Sequence, residues 1–155
     1  MDKSNLKIEE LRLLFERENT RKQNLENKAS YFLGIVSIIV TISSTYLNSN
    51  IDFNSNLGII LLIILALSFI ICIGQCISIF KPTNYHHPIE LKDFNKFENY
   101  FKIDDETFEK ELVDQYLPSI FTNHAINDKI VLKLRISIYS FICFIITLII
   151  CVAIL

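Results

Sequence analysis

The sequence predicts an all-α membrane protein with three transmembrane helices, a cytoplasmic helix ahead of the first, and a helical cytoplasmic insert between the second and third. Three observations lead there. Ala29 to Ile51, Phe53 to Phe80 and Ile136 to Leu155 contain no Asp, Glu, Lys, Arg or His over 23, 28 and 20 residues. About 20 apolar residues suffice for a helix to cross a bilayer, and these runs occupy 71 of the 155 residues, more uncharged length than a soluble core of this size would organise. All 15 Lys and Arg fall either before the first run or between the second and third. Segments rich in Lys and Arg stay cytoplasmic, which predicts an internal N-terminus, an external Leu155 and residence in the plasma (inner) membrane. Finally, 51% hydrophobic and 21% charged residues exclude a disordered chain, and a net charge of −2 gives no reason to expect a nucleic-acid partner.

Residues 1–28 read as a cytoplasmic juxtamembrane helix. They hold no Gly or Pro, and Leu6, Leu11, Leu14, Phe15 and Leu25 recur at mixed spacings of three and four. The helix is expected to continue into the bilayer. Leu11, Leu14 and Phe15 call for a partner, whereas Glu16 to Asn24 is almost wholly polar and suits water. Twenty-eight largely polar residues ahead of the first span are unlike a cleaved signal peptide, so the span is expected to be retained.

The first span, residues 29–47, carries Ser30, Gly34, Ser37, Thr41 and Ser44 at steps of 4, 3, 4 and 3, all on one stripe of a helix. Helices associate in lipid through small residues that allow close approach, so this stripe is predicted to be a contact surface, within the chain or between copies. Phe32, Leu33, Val36, Ile39 and Val40 then suit lipid. A loop over residues 48–56, with Asp52 as its one charge, leads to the second span, residues 57–80. Ser68, Cys72, Gln75 and Cys76 share a face there, and a membrane amide should face protein or water, as an interhelical hydrogen bond or a pore lining. The third span, residues 136–155, has its own small-residue stripe at Ser137, Ser140, Thr147 and Cys151. No span contains a formal charge, which argues against a proton-coupled transporter or a voltage sensor. The four cysteines all lie in spans and read as small apolar packers.

The insert, residues 81–135, opens on a turn-rich stretch with Pro82 and His86-His87-Pro88. Three helices are expected in it. The first is a short amphipathic one through Ile89, Leu91, Phe94, Phe97, Tyr100 and Phe101. The second is capped by Asp104 or Asp105, follows Phe108, Leu112, Tyr116 and Ile120, and is bent or interrupted at Pro118. The third begins after Asn123 and enters the last span.

Catalytic signatures are absent from the sequence. All three glycines, Gly34, Gly58 and Gly74, sit in spans, leaving no phosphate-cradling loop, and neither a hydrolase elbow nor a metalloprotease helix occurs. His86 and His87 point apart on any regular backbone, and His124 does not complete a ligand set, so neither metal, cofactor nor enzyme activity is expected. The crowd of carboxylates from Asp104 to Asp114 reads as a solvated face. Arg17, Arg21, Lys22, Lys129 and Lys133 would form a basic cluster if the two juxtamembrane helices lay together, suited to lipid headgroups or to an anionic nucleotide.

Asn24-Leu25-Glu26-Asn27-Lys28-Ala29-Ser30 at the entry to the first span, and Tyr116-Leu117, Asn123, Asn127-Asp128-Lys129 and Leu134 before the last, resemble the small multi-span effectors of prokaryotic conflict systems, namely the Pycsar transmembrane effectors and SLATT-type proteins. The resemblance implies a membrane effector of antiviral defence that senses a cyclic-nucleotide signal, oligomerises and impairs membrane integrity. It points to no particular binding residue here. The alternative is a non-enzymatic scaffold or anchor that recruits a soluble cytoplasmic protein through its helices. The expected partners are therefore the lipid bilayer, further copies of the chain, and a cyclic nucleotide or a cytoplasmic protein.

Overall fold

A computed structural model of the chain describes residues 3–50, 56–83, 85–87 and 104–154. Among these residues every regular element is α-helical: α1 over Lys3–Asn50, α2 over Asn56–Ile79 and α3 over Asp105–Ile154. Each contains a stretch long and apolar enough to cross a membrane. At 1.5 Å per residue, the 24 residues of α2 extend roughly 36 Å, slightly more than the hydrocarbon core.

The juxtamembrane helix and first span form one element, as the lack of Gly and Pro before residue 29 predicts. The insert departs from expectation. Its second and third helices are a single helix with Pro118 inside it. Proline cannot donate to the carbonyl four residues back, but Pro118 and Asp114 are both exposed, so the freed carbonyl lies on an open side and the buried side continues uninterrupted. Asp104 supplies the N-cap, its Oδ2 accepting the Thr107 N–H at 3.1 Å. The Thr107 N–H holds the Asp104 carboxyl below its ordinary range. The amphipathic helix expected over 89–101 lies outside the described residues.

The chain divides into two compact units, the first comprising Met1–Asn24 and Pro82–Lys129, the second Leu25–Lys81 and Ile130–Leu155. In the first, Leu11, Phe15, Glu18 and Lys22 of α1 are buried or half-buried at steps of 4, 3 and 4, and in the second Leu25, Ala29, Phe32, Val36, Ile39 and Ser43 follow the same alternation. This is the spacing of a helix that keeps one seam against its neighbours. The seam of α3 runs through Leu112, Ser119, Asn123 and Asn127 in the first unit and Ile130, Ser137, Phe144, Thr147 and Cys151 in the second, all buried.

Packing in the second unit corrects the reading of the first span. Val36, assigned to lipid with Phe32, Leu33, Ile39 and Val40, is fully buried, and Phe32 packs edge-on against Phe141 at 5.4 Å between ring centroids. Large apolar side chains interdigitate there, and the hydroxyl stripe is turned outward. Phe69 and Phe144 add a second ring contact at 6.0 Å. The Lys133 ammonium donates to the Ser78 carbonyl at 3.0 Å, placing a cation on the last turn of α2, where free carbonyls and the helix dipole favour one.

Candidate functional site

The first unit gathers charged and amide side chains on α1, α3 and the Tyr85–His87 segment. Phe15 is the apolar base of the group: its ring meets Tyr116 at 5.8 Å and His87 at 6.1 Å, both edge-on. Of the three apolar residues expected to find a partner, Phe15 does, Leu11 is half-buried, and Leu14 stays exposed.

About two and three helical turns beyond Tyr116 on α3 stand Asn123 and Asn127, both with no exposed surface. The Asn123 amide pairs with the backbone of His86, its Oδ1 accepting the His86 N–H at 3.0 Å and its Nδ2 donating to the His86 carbonyl at 2.9 Å. The Asn127 Nδ2 faces three oxygens: the Glu18 carbonyl at 3.0 Å, the Glu18 carboxylate at 2.7 Å and the Tyr85 hydroxyl at 3.2 Å. Its two protons are shared among them, while the buried Asn127 Oδ1 has no hydrogen-bond partner among the described residues.

Glu18 is the electrostatic centre, its side chain only 14% exposed. Desolvation pushes its carboxyl up, but hydrogen bonds from His124 and Asn127 and the nearby Arg21 charge prevail and hold it below the ordinary range. His124 Nδ1 lies 3.0 Å from the Glu18 carboxylate and 3.1 Å from the Arg21 guanidinium. Arg21 donates to Asp128 at 2.7 Å. That bond holds the Asp128 carboxyl below its usual range and pushes the guanidinium up.

These contacts show where the basic residues named from sequence lie. In the first unit, Arg21 is committed to Asp128 and Glu18, and the Lys22 ammonium sits 4.6 Å from the centre of the Tyr85 ring, a cation–π arrangement. Arg17 and Lys129 are exposed. Lys133 belongs to the second unit, on the Ser78 carbonyl.

The small residues named from sequence fall into two groups in the second unit. Ser30, Gly34, Ser37, Thr41 and Ser44 are all exposed. Ser37 donates to the Leu33 carbonyl, Thr41 to Ser37 and Ser44 to Thr41, at 2.8, 2.8 and 2.9 Å. These hydroxyls are satisfied by their own helix and need no neighbour to tolerate lipid. A Cβ added at Gly34 would meet nothing within 4 Å.

Ser137 turns the other way. It is fully buried, donates to the Cys72 carbonyl at 2.7 Å, and has the thiols of Cys72 and Cys76 at 3.4 and 3.0 Å. One proton and two lone pairs are thereby used, fastening α3 to α2. Thr147 is buried and bonded within its own helix to the Cys143 carbonyl, while Ser140 and Gln75 are half-buried. Among the described residues no three His, Cys, Asp or Glu side chains are grouped to hold a metal.

Comparison with family models, with curated proteins and with solved structures found no match to this chain.

Proposed function

We propose that the chain is a membrane-embedded effector of a prokaryotic antiviral defence system, whose copies associate through the first span and impair membrane integrity in response to a signal. The reading takes residues 1–28 and 81–135 as cytoplasmic and Leu155 as external. The supporting observation is the outward stripe. Ser30, Gly34, Ser37, Thr41 and Ser44 form an exposed small-residue surface, with the Ser37, Thr41 and Ser44 hydroxyls bonded to their own helix, and in lipid close approach of backbones is what such surfaces provide. An anionic signal, the cyclic nucleotide that the sequence resemblance implies, would meet Arg17 and Lys129, because Arg21 is already engaged by carboxylates.

The test is dye leakage from liposomes carrying the purified chain, with a panel of cyclic mononucleotides added, beside Gly34→Leu. A bulky side chain at position 34 has open space in the single chain but blocks approach of a second helix. The wild type should leak and Gly34→Leu should not, with both equally folded. Equal leakage from the two, or none from either, refutes the proposal.

The second reading, a scaffold that recruits a soluble protein, is favoured by one observation. Leu117 and Phe121, one turn apart on α3 in the first unit, are 41% and 72% exposed. In that case Phe121→Glu should abolish capture of a stoichiometric partner, and no leak should be seen.

A further inference from the structure

We infer that Cys72 and Cys76 form a two-sulfur site for a soft monovalent metal cation, copper(I) or silver(I), inside the second unit. The two residues stand one turn apart on α2 and are fully buried, and their thiols converge on a single atom. The Ser137 Oγ lies 3.4 Å from the Cys72 Sγ and 3.0 Å from the Cys76 Sγ. The one proton of that hydroxyl goes to the Cys72 carbonyl at 2.7 Å, so each thiol directs its own proton at the oxygen. A cysteine that only fills apolar space needs no such convergence.

Thiolate sulfur selects soft cations such as copper(I). A structural zinc site takes four ligands, and among the described residues no three His, Cys, Asp or Glu side chains are grouped to begin one. A soft monovalent cation is satisfied by two sulfurs in a near-linear arrangement. Residues four apart on a helix hold their Cβ atoms roughly 5 to 6 Å apart. Two metal–sulfur bonds in a line, each about 2.3 Å, separate the sulfurs by about 4.6 Å, so side-chain rotation alone closes the pair on a cation. Binding forms two sulfur–metal bonds and breaks two S–H bonds; the protons pass to water, and neither metal nor sulfur changes oxidation state. The product carries one negative charge, which is costly among apolar helices. A counter-charge stands nearby: Lys133 precedes Ser137 by one turn of α3, and its ammonium is held at 3.0 Å on the carbonyl of Ser78, two residues beyond Cys76. The site uses no residue of the outward stripe and does not rest on the effector reading.

The test titrates copper(I) anaerobically into the full chain in lipid nanodiscs, against a chromogenic copper(I) chelator, and records X-ray absorption of the loaded protein. One copper per chain should bind, through two sulfurs. Cys72→Ala and Cys76→Ala should each weaken binding about a hundredfold, because the second sulfur otherwise binds intramolecularly, whereas Cys143→Ala and Cys151→Ala should leave it unchanged. Lys133→Met, which keeps an apolar stem and removes the charge, should weaken it about tenfold. The wild-type spectrum needs no substitution and keeps the test decisive should Cys72→Ala or Cys76→Ala misfold. No copper uptake by the wild type, or copper held by one sulfur or by nitrogen, overturns the site, as does binding that survives in both Cys72→Ala and Cys76→Ala. Undiminished binding in Lys133→Met overturns the counter-charge.

Discussion

In the first unit the positions turned inward include Glu18, Asn123 and Asn127, whereas in the second they are Ala29, Val36, Ile79 and Phe144, with Ser137 as a bonded hydroxyl between helices. Both units use the same three- and four-residue spacing. Where carboxylates and amides are buried, each needs a matched partner, so the first unit fixes its arrangement through directional bonds such as Arg21–Asp128 and Asn127–Glu18. In apolar runs every face is greasy, and shape decides which one packs, so Val36 and Phe32 turn in while the hydroxyl stripe turns out. Directional bonding can be undone one bond at a time; shape packing cannot.

The sharpest way to break the polar unit is Asn127→Ala. It removes two bonds to Glu18 and leaves a carboxylate poorly solvated, for a loss of about 2 to 3 kcal/mol. Thermal unfolding in detergent reads the loss, and the buried Cys72 and Cys76 of the second unit should stay protected from a maleimide. The shape-packed unit is broken by volume. Ala29 is fully buried, and Ala29→Leu should cost about 1 to 3 kcal/mol by overpacking, whereas Gly34→Leu, five positions on and facing out, should leave the melting temperature of the single chain unchanged. Ser137→Ala should cost about 0.6 to 1.7 kcal/mol, the range of hydrogen bonds between membrane helices, with faster maleimide labelling of Cys76.

The acid response is the mildest. Glu18 and Asp128 are held below their ordinary values of 4.5 and 3.8. A group lowered by folding stabilises the fold above its unfolded value, and that contribution is lost as pH falls through the folded one. Circular dichroism and maleimide labelling between pH 6 and 2 should therefore show the first unit loosening below about 4.5, and Asp128→Asn should flatten part of that transition.

How much of this was legible in the sequence follows the same division. The three long helices follow from uncharged runs, and Asp104 as a cap follows from its residue type and place. The seam of α1 does not, because Glu18 and Lys22 occupy it in the first unit and break the apolar period. In the spans, apolar residues surround the helix, so periodicity cannot choose a face. There the buried residues Ala29, Val36 and Ser43 are each followed at once by a stripe residue, Ser30, Ser37 and Ser44. One step rotates about 100° around the helix, enough to exchange inside for outside. Asn123 and Asn127, four apart within an otherwise mixed stretch, were the signal for the buried amides; their partners, the His86 backbone and Glu18, lie 37 and 109 positions away. Pro118 does not end α3, because a proline on an exposed face leaves the buried seam unbroken.

Cysteine cross-linking in bilayers tests the outward stripe most directly, on a background with the four native cysteines replaced. Ser37→Cys should form a disulfide between copies on mild oxidation while Val36→Cys, one position away and fully buried, forms none. Cross-linking through position 36, or through neither position at densities where the wild type leaks, would contradict assembly through this face.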